Sequence, residues 1–332
     1  MPTPSSDTTI QRPELGQLVY EYMENAPNMG FIGTQVMPIF EVGDQSGNYP
    51  VIPAEALLSV EDTARANRAE YAHSDYTFEE GFYSTSEKGW IEYIDDRERN
   101  LYKNKFDSDA VAAMRAANIL LRGQEKRIAD MVFNSTNFTA NSITNEWDDE
   151  TNATPIDDIQ TGIKSIRSTS GLLPNALIIS YSTYLDLLRC DQIIDLIKYT
   201  FPMITMQNLS LAQLAQALGV EQVMVGGAIY NSAKKGQDAS VSNLWSNEYA
   251  MLTKISTTNS ITEPCIGRTF LWTDETASNM VVESYRDEAK RSDIIRVRQE
   301  TGESLIASRD SSGTIVSNIS QACSYLMDNI TT

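Results

Sequence analysis

The stretch Tyr76–Asp96, YTFEEGFYSTSEKGWIEYIDD, sets the tightest limit on what this chain can fold into. Its aromatic residues favour strands, but charged pairs interrupt them, and the central Ser/Thr/Glu/Lys/Gly cluster reads as a turn. Two long strands with a turn near Ser84–Gly89 are predicted within a β-type region, 61–100. A two-stranded ribbon alone is marginal in water, so it needs a third surface. The expectation is that a neighbouring copy of the same chain supplies it.

The segments on either side differ in kind. Residues 1–60 hold seven of the 11 prolines, with one short helix predicted around Leu15–Met23. Phe31, Ile32, Val36, Met37, Ile39 and Phe40 are too apolar for a free tail, so an extended arm that packs on something is expected. Asp107 is a candidate N-cap for a helix over 107–133, a rod of about 40 Å. Val111, Met114, Ala117, Leu121, Ile128 and Val132 mark its apolar face. Residues 134–153 read as a polar surface loop.

From Thr154 strands and helices alternate. Thr154-Pro155 with Asp157 resembles a capping box, and Gly171 ends that helix. NALIIS at 175–180 reads as a buried strand, 182–198 as helical, and Ser210 as the cap of LAQLAQAL. Strands are predicted at 221–231, 244–255 and 265–273, which suggests one α/β module over 155–275. After Ser278 two strand candidates could form a hairpin, and 313–330 reads as a short strand or helix.

Composition excludes several classes. With 332 residues, 41% hydrophobic, the chain can bury a real core. No apolar run is long enough to span a membrane, and the N-terminus lacks the pattern of a secretory signal. Three scattered cysteines argue for free thiols in a reducing compartment. The formal charge of −19 repels nucleic acid at long range, and Arg12 is the only base among residues 1–60.

Catalytic constellations are missing. The single histidine, His73, has no flanking nucleophile motif and reads as an ordinary surface or interface residue. Asp148-Asp149-Glu150 lacks the spacing of a calcium loop and reads as a solvated loop. There is no triphosphate loop and no dinucleotide fingerprint. Gly226-Gly227 reads as a bend at a strand end. Arg97, Arg99, Lys103 and Lys105, the bases along the long helix, and Arg286 to Arg298 are all interleaved with carboxylates. That arrangement suits subunit contacts better than nucleic acid.

The order of elements resembles the Hong Kong 97 type major capsid protein of tailed double-stranded-DNA bacteriophages. SDYTFEEGFYSTSEKGWIEYIDDRE is similar to that family's extended loop and its exit. FDSDAVAAMRAANILLRGQEKRIADMVF is similar to its spine helix. GLLPNALIIS, LAQALGVEQVMVG and VESYRDEAKRSDIIRVRQ resemble its axial domain and returning peripheral strands. The resemblance implies an α+β fold with an N-terminal arm (1–60), an extended β-hairpin loop (61–100), a peripheral domain (101–154, spine helix 107–133, and 278–332) and an axial domain (155–277). It implies a subunit interface at Phe31, Phe40, Tyr76, Phe78, Glu79, Glu80, Phe82, Tyr83, Lys88, Trp90, Arg97 and Arg99.

The same resemblance implies a shell subunit that forms hexamers and pentamers, assembles in the host cytoplasm and resides in the virion. Such a subunit encloses DNA without reading its sequence, with no catalysis, no cofactor, no metal and no membrane. Its partners would be a separate scaffolding protein, a portal and a decoration protein, and Lys88 is a conceivable crosslink donor. Two other readings remain open: an α/β enzyme over 155–277 with a ligand pocket near Gly226-Gly227, and a tube or sheath subunit.

Overall fold

The apolar segments resolve into two sheets, with the long helix laid across the larger. The structure, a computed structural model, describes residues 10–53, 79–200, 210–309 and 315–331, apart from 103, 235, 275, 277 and 278, together with scattered positions between 58 and 73. The N-terminal part contains β1 (Ile10–Gln11), α1 (Pro13–Glu24), α2 (Gly33–Val36), β2 (Ile39–Val42) and β3 (Ser46–Val51). Then follow β4 (Glu79–Ser84), β5 (Ser86–Asp95), α3 (Asp96–Tyr102), the long α4 (Ser108–Val132) and β6 (Ala140–Ser142). Next come α5 (Pro155–Ser170), β7 (Ala176–Ser180), α6 (Tyr181–Leu187), α7 (Asp191–Thr200), α8 (Leu211–Leu218) and β8 (Gln222–Gly226). The rest is β9 (Ile229–Asn231), β10 (Val241–Asn243), β11 (Ala250–Thr253), β12 (Gly267–Trp272), β13 (Val281–Asp287), β14 (Ser292–Leu305), β15 (Ser308–Arg309), β16 (Ile315–Ser317), α9 (Ile319–Ala322) and β17 (Ser324–Asp328).

β14 is the spine of the large sheet, ordered β1-β13-β14-β12-β2, with β5 along the other edge of β14. β13 pairs with Ser292–Arg298 and β12 with Thr301–Leu305, while β5 pairs with Ser292 through Thr301. The predicted hairpin after Ser278 is β13–β14, with Asp287 opposite Ser292. α4 begins where predicted: Asp107 accepts the Asp109 N–H at 3.0 Å. Its buried stripe is Ala113, Ala116, Ala117, Leu120, Leu121, Ile128 and Val132, with Val111 and Met114 only half-buried. Small alanines there let the helix approach β5 and β14 closely. Leu15 and Val19 of α1 bury into the same core, so the helix expected around Leu15–Met23 is present, longer at both ends, and packs on its own chain.

The second sheet is ordered β6-β17-β11-β7-β8. β7 is buried at all five positions, as NALIIS predicts. Ser210 and Gln213 form a complete capping box on α8, whereas Thr154 makes no side-chain cap on α5. Two expectations about this half are corrected. β12 belongs to the large sheet and not to the module over 155–275, while β6 and β17 reach in from outside that module. Residues 134–153 are not all surface, because Phe138 and Trp147 are buried and the Trp147 indole donates to Asp158 at 3.0 Å.

The hairpin expected within 76–96 is also corrected. β4 and β5 do not pair with each other. β4 pairs with β3, Val51 opposite Glu79 and Ser46 opposite Ser84, while β5 leaves for β14. Thr85 marks the change of sheet: it is buried, and its N–H donates to the Gln45 carbonyl at 2.8 Å. A hairpin therefore exists, but its first strand lies inside the segment read as arm. Alternation along one strand predicts faces and not partners, which is why the pairing was out of reach.

Candidate assembly surface

Hairpin and large sheet meet at a stack of aromatic rings. Tyr49 lies opposite Gly81, whose missing side chain leaves room for its ring: a Cβ there would sit 2.3 Å from Tyr49. Tyr83 stacks on Phe270 at 4.6 Å between centroids, Tyr49 stacks at 5.6 Å, and Phe40 meets Phe270 edge-on at 6.1 Å. Offset stacks of this kind add to simple burial. Tyr83 is only 8% exposed and Phe31 is buried under the Arg122 guanidinium, so neither awaits a partner chain. Their expected place in a subunit interface is therefore corrected. Phe40 is half-buried in the same cluster. Tyr76 and Phe78 lie outside the described residues.

Other expected interface residues divide. Glu79 is half-buried and accepts from the Ser308 hydroxyl, and exposed Glu80 accepts from Asn48 at 2.9 Å. Lys88 is not freely solvated: it donates to the Thr301 carbonyl and lies 3.9 Å from Glu303, and burial pushes its ammonium pKa down despite that carboxylate. Arg99 binds Asp109 and Asp293, while Arg97 is exposed. Arg286 grips Asp96 through two bonds of 2.7 and 2.8 Å and reaches Asp293 at 3.0 Å. Glu283 is bracketed by Arg296 and Arg298; burial pushes its pKa up, but those two guanidinium groups outweigh it and hold the carboxyl below its ordinary value. Much of the interleaved charge thus ties strands to helices within one chain.

What remains open lies along β5. Among the described residues β5 is bonded only to β14, so its outer backbone edge is unpaired. Trp90 is 44% exposed and Tyr93 50%, on opposite faces by alternation, and Ile91 is exposed beside Tyr93. Phe82, on the outer side of β4, is 52% exposed. Leu101 and Phe106 follow on the way into α4. An edge strand with large apolar groups on both faces is a template for pairing with another chain.

One buried carboxylate ties α4 to the N-terminal segment and to Trp245. Glu125 of α4 accepts the N–H groups of Ile32 at 2.8 Å and Gly33 at 2.7 Å, and the Trp245 indole N–H at 2.6 Å. Burial raises its pKa, against the pull of the three donors. Gly33 is required by closeness, since a Cβ would lie 2.6 Å from Glu125 Oε2. The sequence reading missed Glu125. Its signal was a carboxylate four residues after Leu121 and three before Ile128, on the buried stripe.

The alternative pocket at Gly226-Gly227 is filled. A Cβ on Gly226 would strike the Trp245 ring at 2.3 Å, and the Gly227 and Ala228 N–H groups donate to the Gly30 carbonyl, each at 3.1 Å.

No protein-family model matches the chain. It is 27% identical over 219 residues, 62% of this chain and 67% of the other, to a major capsid protein of Burkholderia phage BcepMu. It is 22% identical over 278 residues, 81% and 85% of the two chains, to a major capsid protein of Pseudomonas phage JBD67. Among solved structures it matches a phage-related protein from Bordetella bronchiseptica RB50 with TM-score 0.66, 19% identity and coverage of 97% and 98%. It matches the capsid structure of the cyanophage P-SCSP1u with TM-score 0.56, 11% identity and coverage of 88% and 86%. The chain has the Hong Kong 97 type phage capsid fold.

Proposed function

We propose that this chain is the major capsid protein of a tailed bacteriophage, a subunit that joins copies of itself into a closed icosahedral shell around packaged DNA. Its work is geometric, and no bond is made or broken. Hexamers and pentamers form through the half that carries the β7–β8 sheet, and the β3–β4 hairpin packs against a neighbour. In this reading the large sheet with α4 is the peripheral domain, and the β6–β17–β11–β7–β8 sheet with its helices is the axial domain.

The observation that carries the proposal is the open, apolar edge of β5 in a chain of this fold. Burying Phe82, Trp90, Ile91 and Tyr93 at about 25 cal/mol per Å² favours association, and obligate interfaces are rich in such residues. A separate scaffolding protein, a portal and a decoration protein complete the reading as partners, with assembly in the host cytoplasm. The net charge of −19 keeps the shell from sticking to entering DNA.

Electron microscopy of the purified chain tests this reading. Closed shells are expected. Discrete small particles would favour an oligomeric enzyme, and open tubes a tail subunit.

A further inference from the structure

Two cavities meet beneath α1. The inner one, about 240 Å³, is lined by Phe31, Leu121, Gln124 and Glu125 among others, and the outer, about 580 Å³, by Glu41, Arg268 and Leu271. Tyr20, Met23, Ile39 and Asn279 line both, so the two make one cleft. Four buried polar atoms of its lining residues have no hydrogen-bond partner: Gln124 Oε1 and Nε2, Asn279 Oδ1 and Arg268 Nε. Gln124 is 2% exposed. Buried polar groups in folded proteins are nearly always paired, and here the adjoining cavity leaves room for a polar partner.

The wall of the cleft is a strand edge. β2 is the last strand of the large sheet and, among the described residues, is bonded only to β12. The Pro38 and Val42 carbonyls accept from Thr269 and Thr273 at 3.1 and 3.0 Å. By alternation the N–H and C=O groups of Ile39 and Glu41 point the other way, and both residues line the outer cavity. The cleft therefore offers an unpaired strand edge, amide donors and acceptors, an Arg268 N–H and an apolar inner chamber. An extended peptide presents the matching set: backbone groups that can pair with the strand edge, and a side chain directed to the chamber every second residue.

We propose that this cleft binds an extended, basic segment of a different polypeptide, which adds to β2, places one threonine side chain in the inner cavity, where its hydroxyl pairs with Gln124, and donates a backbone N–H to Asn279 Oδ1. Charge selects the occupant. Glu24 and Glu41 are exposed at the lip, and Arg268 is already held by the Thr258 and Ser260 carbonyls at 3.0 and 2.6 Å and lies 3.9 Å from Glu263. The two lip carboxylates draw in a segment with flanking lysines and disfavour one with flanking carboxylates. The proposal does not depend on the shell reading.

The test is fluorescence anisotropy of the full chain with two labelled probes, the basic peptide Ac-KVTLTVK-amide and its acidic counterpart Ac-EVTLTVE-amide. Saturable binding of the basic probe at one site per chain is expected, with no measurable binding of the acidic one. The double variant Glu24→Lys/Glu41→Lys weakens the basic probe about tenfold and admits the acidic one. Gln124→Leu also weakens it about tenfold while melting no lower than the parent, because the substitution removes an unpaired buried amide. If Gln124→Leu fails to fold, the lip variant decides alone. Equal binding of both probes, indifference to the substitutions, or a density map with only ordered water or a second copy in the cleft overturns the proposal.

Discussion

Replacing Glu125 by glutamine is the sharpest probe of how the N-terminal segment is held. The parent carboxylate takes three N–H donors, from Ile32, Gly33 and Trp245. Glutamine keeps one oxygen, which can serve two of them, and turns its own NH₂ toward the third. One buried donor without an acceptor costs roughly 1–3 kcal/mol, and the two surviving bonds lose their charge assistance. Relief of burying a carboxylate offsets part of that. The net loss is about 2 kcal/mol, which lowers Tm by roughly 3 °C and raises local opening about thirtyfold. Hydrogen exchange read by mass spectrometry on the unassembled chain should show faster exchange over residues 28–36, with Leu211–Leu218 unchanged. The sign of the pH effect follows from the raised pKa of Glu125. Its contribution is fully present below the unfolded value and lost as pH rises through the folded one, so the parent gains on the variant as pH falls toward the ordinary carboxylate range. Unchanged exchange at 28–36 together with an unchanged Tm would refute the assignment of Glu125 as the clamp.

Three further outcomes are expected. Tyr83→Ala costs about 3 kcal/mol in urea unfolding through loss of the Phe270 stack, whereas Phe82→Ala next to it stays within about 0.5 kcal/mol yet impairs assembly seen by light scattering. Glu283→Gln costs about 2 kcal/mol at pH 7; since the parent carboxyl is held low, its contribution is present above about 4.3 and lost as pH falls through the folded value, so parent and variant converge in acid denaturation. Exchanging residues 54–77 for a short Gly/Ser linker leaves circular dichroism and Tm close to the parent but abolishes closed shells under the microscope, whereas deleting 76–94 removes nearly all of β5 and unfolds the large sheet.

Local chemistry was legible in the sequence and long-range pairing was not. Asp107 and Ser210 announce their helices because a cap is a contact between near neighbours. The β13–β14 hairpin is legible for the same reason. The fate of Tyr76–Asp96 is decided by Gln45 and by β14, far along the chain, and no alternation pattern encodes that. Aromatic content correctly says that Phe31 and Tyr83 will be buried, but it is silent on whether the burying atoms belong to the same molecule. Trp147 went unnoticed because the polar residues around it set the character of the stretch, while one large ring suffices to anchor it. Opposite charges in sequence look alike whether they pair inside a chain or across an interface, so the interleaved residues Arg99, Arg286 and Arg296 do not announce which of the two they serve.

The most direct test is hydroxyl-radical footprinting of the chain before and after assembly. The account predicts that Phe82 and Trp90 lose most of their reactivity on assembly, while Phe31 and Tyr83 are protected in both states. Phe82 and Trp90 reacting equally in assembled and unassembled material would contradict it.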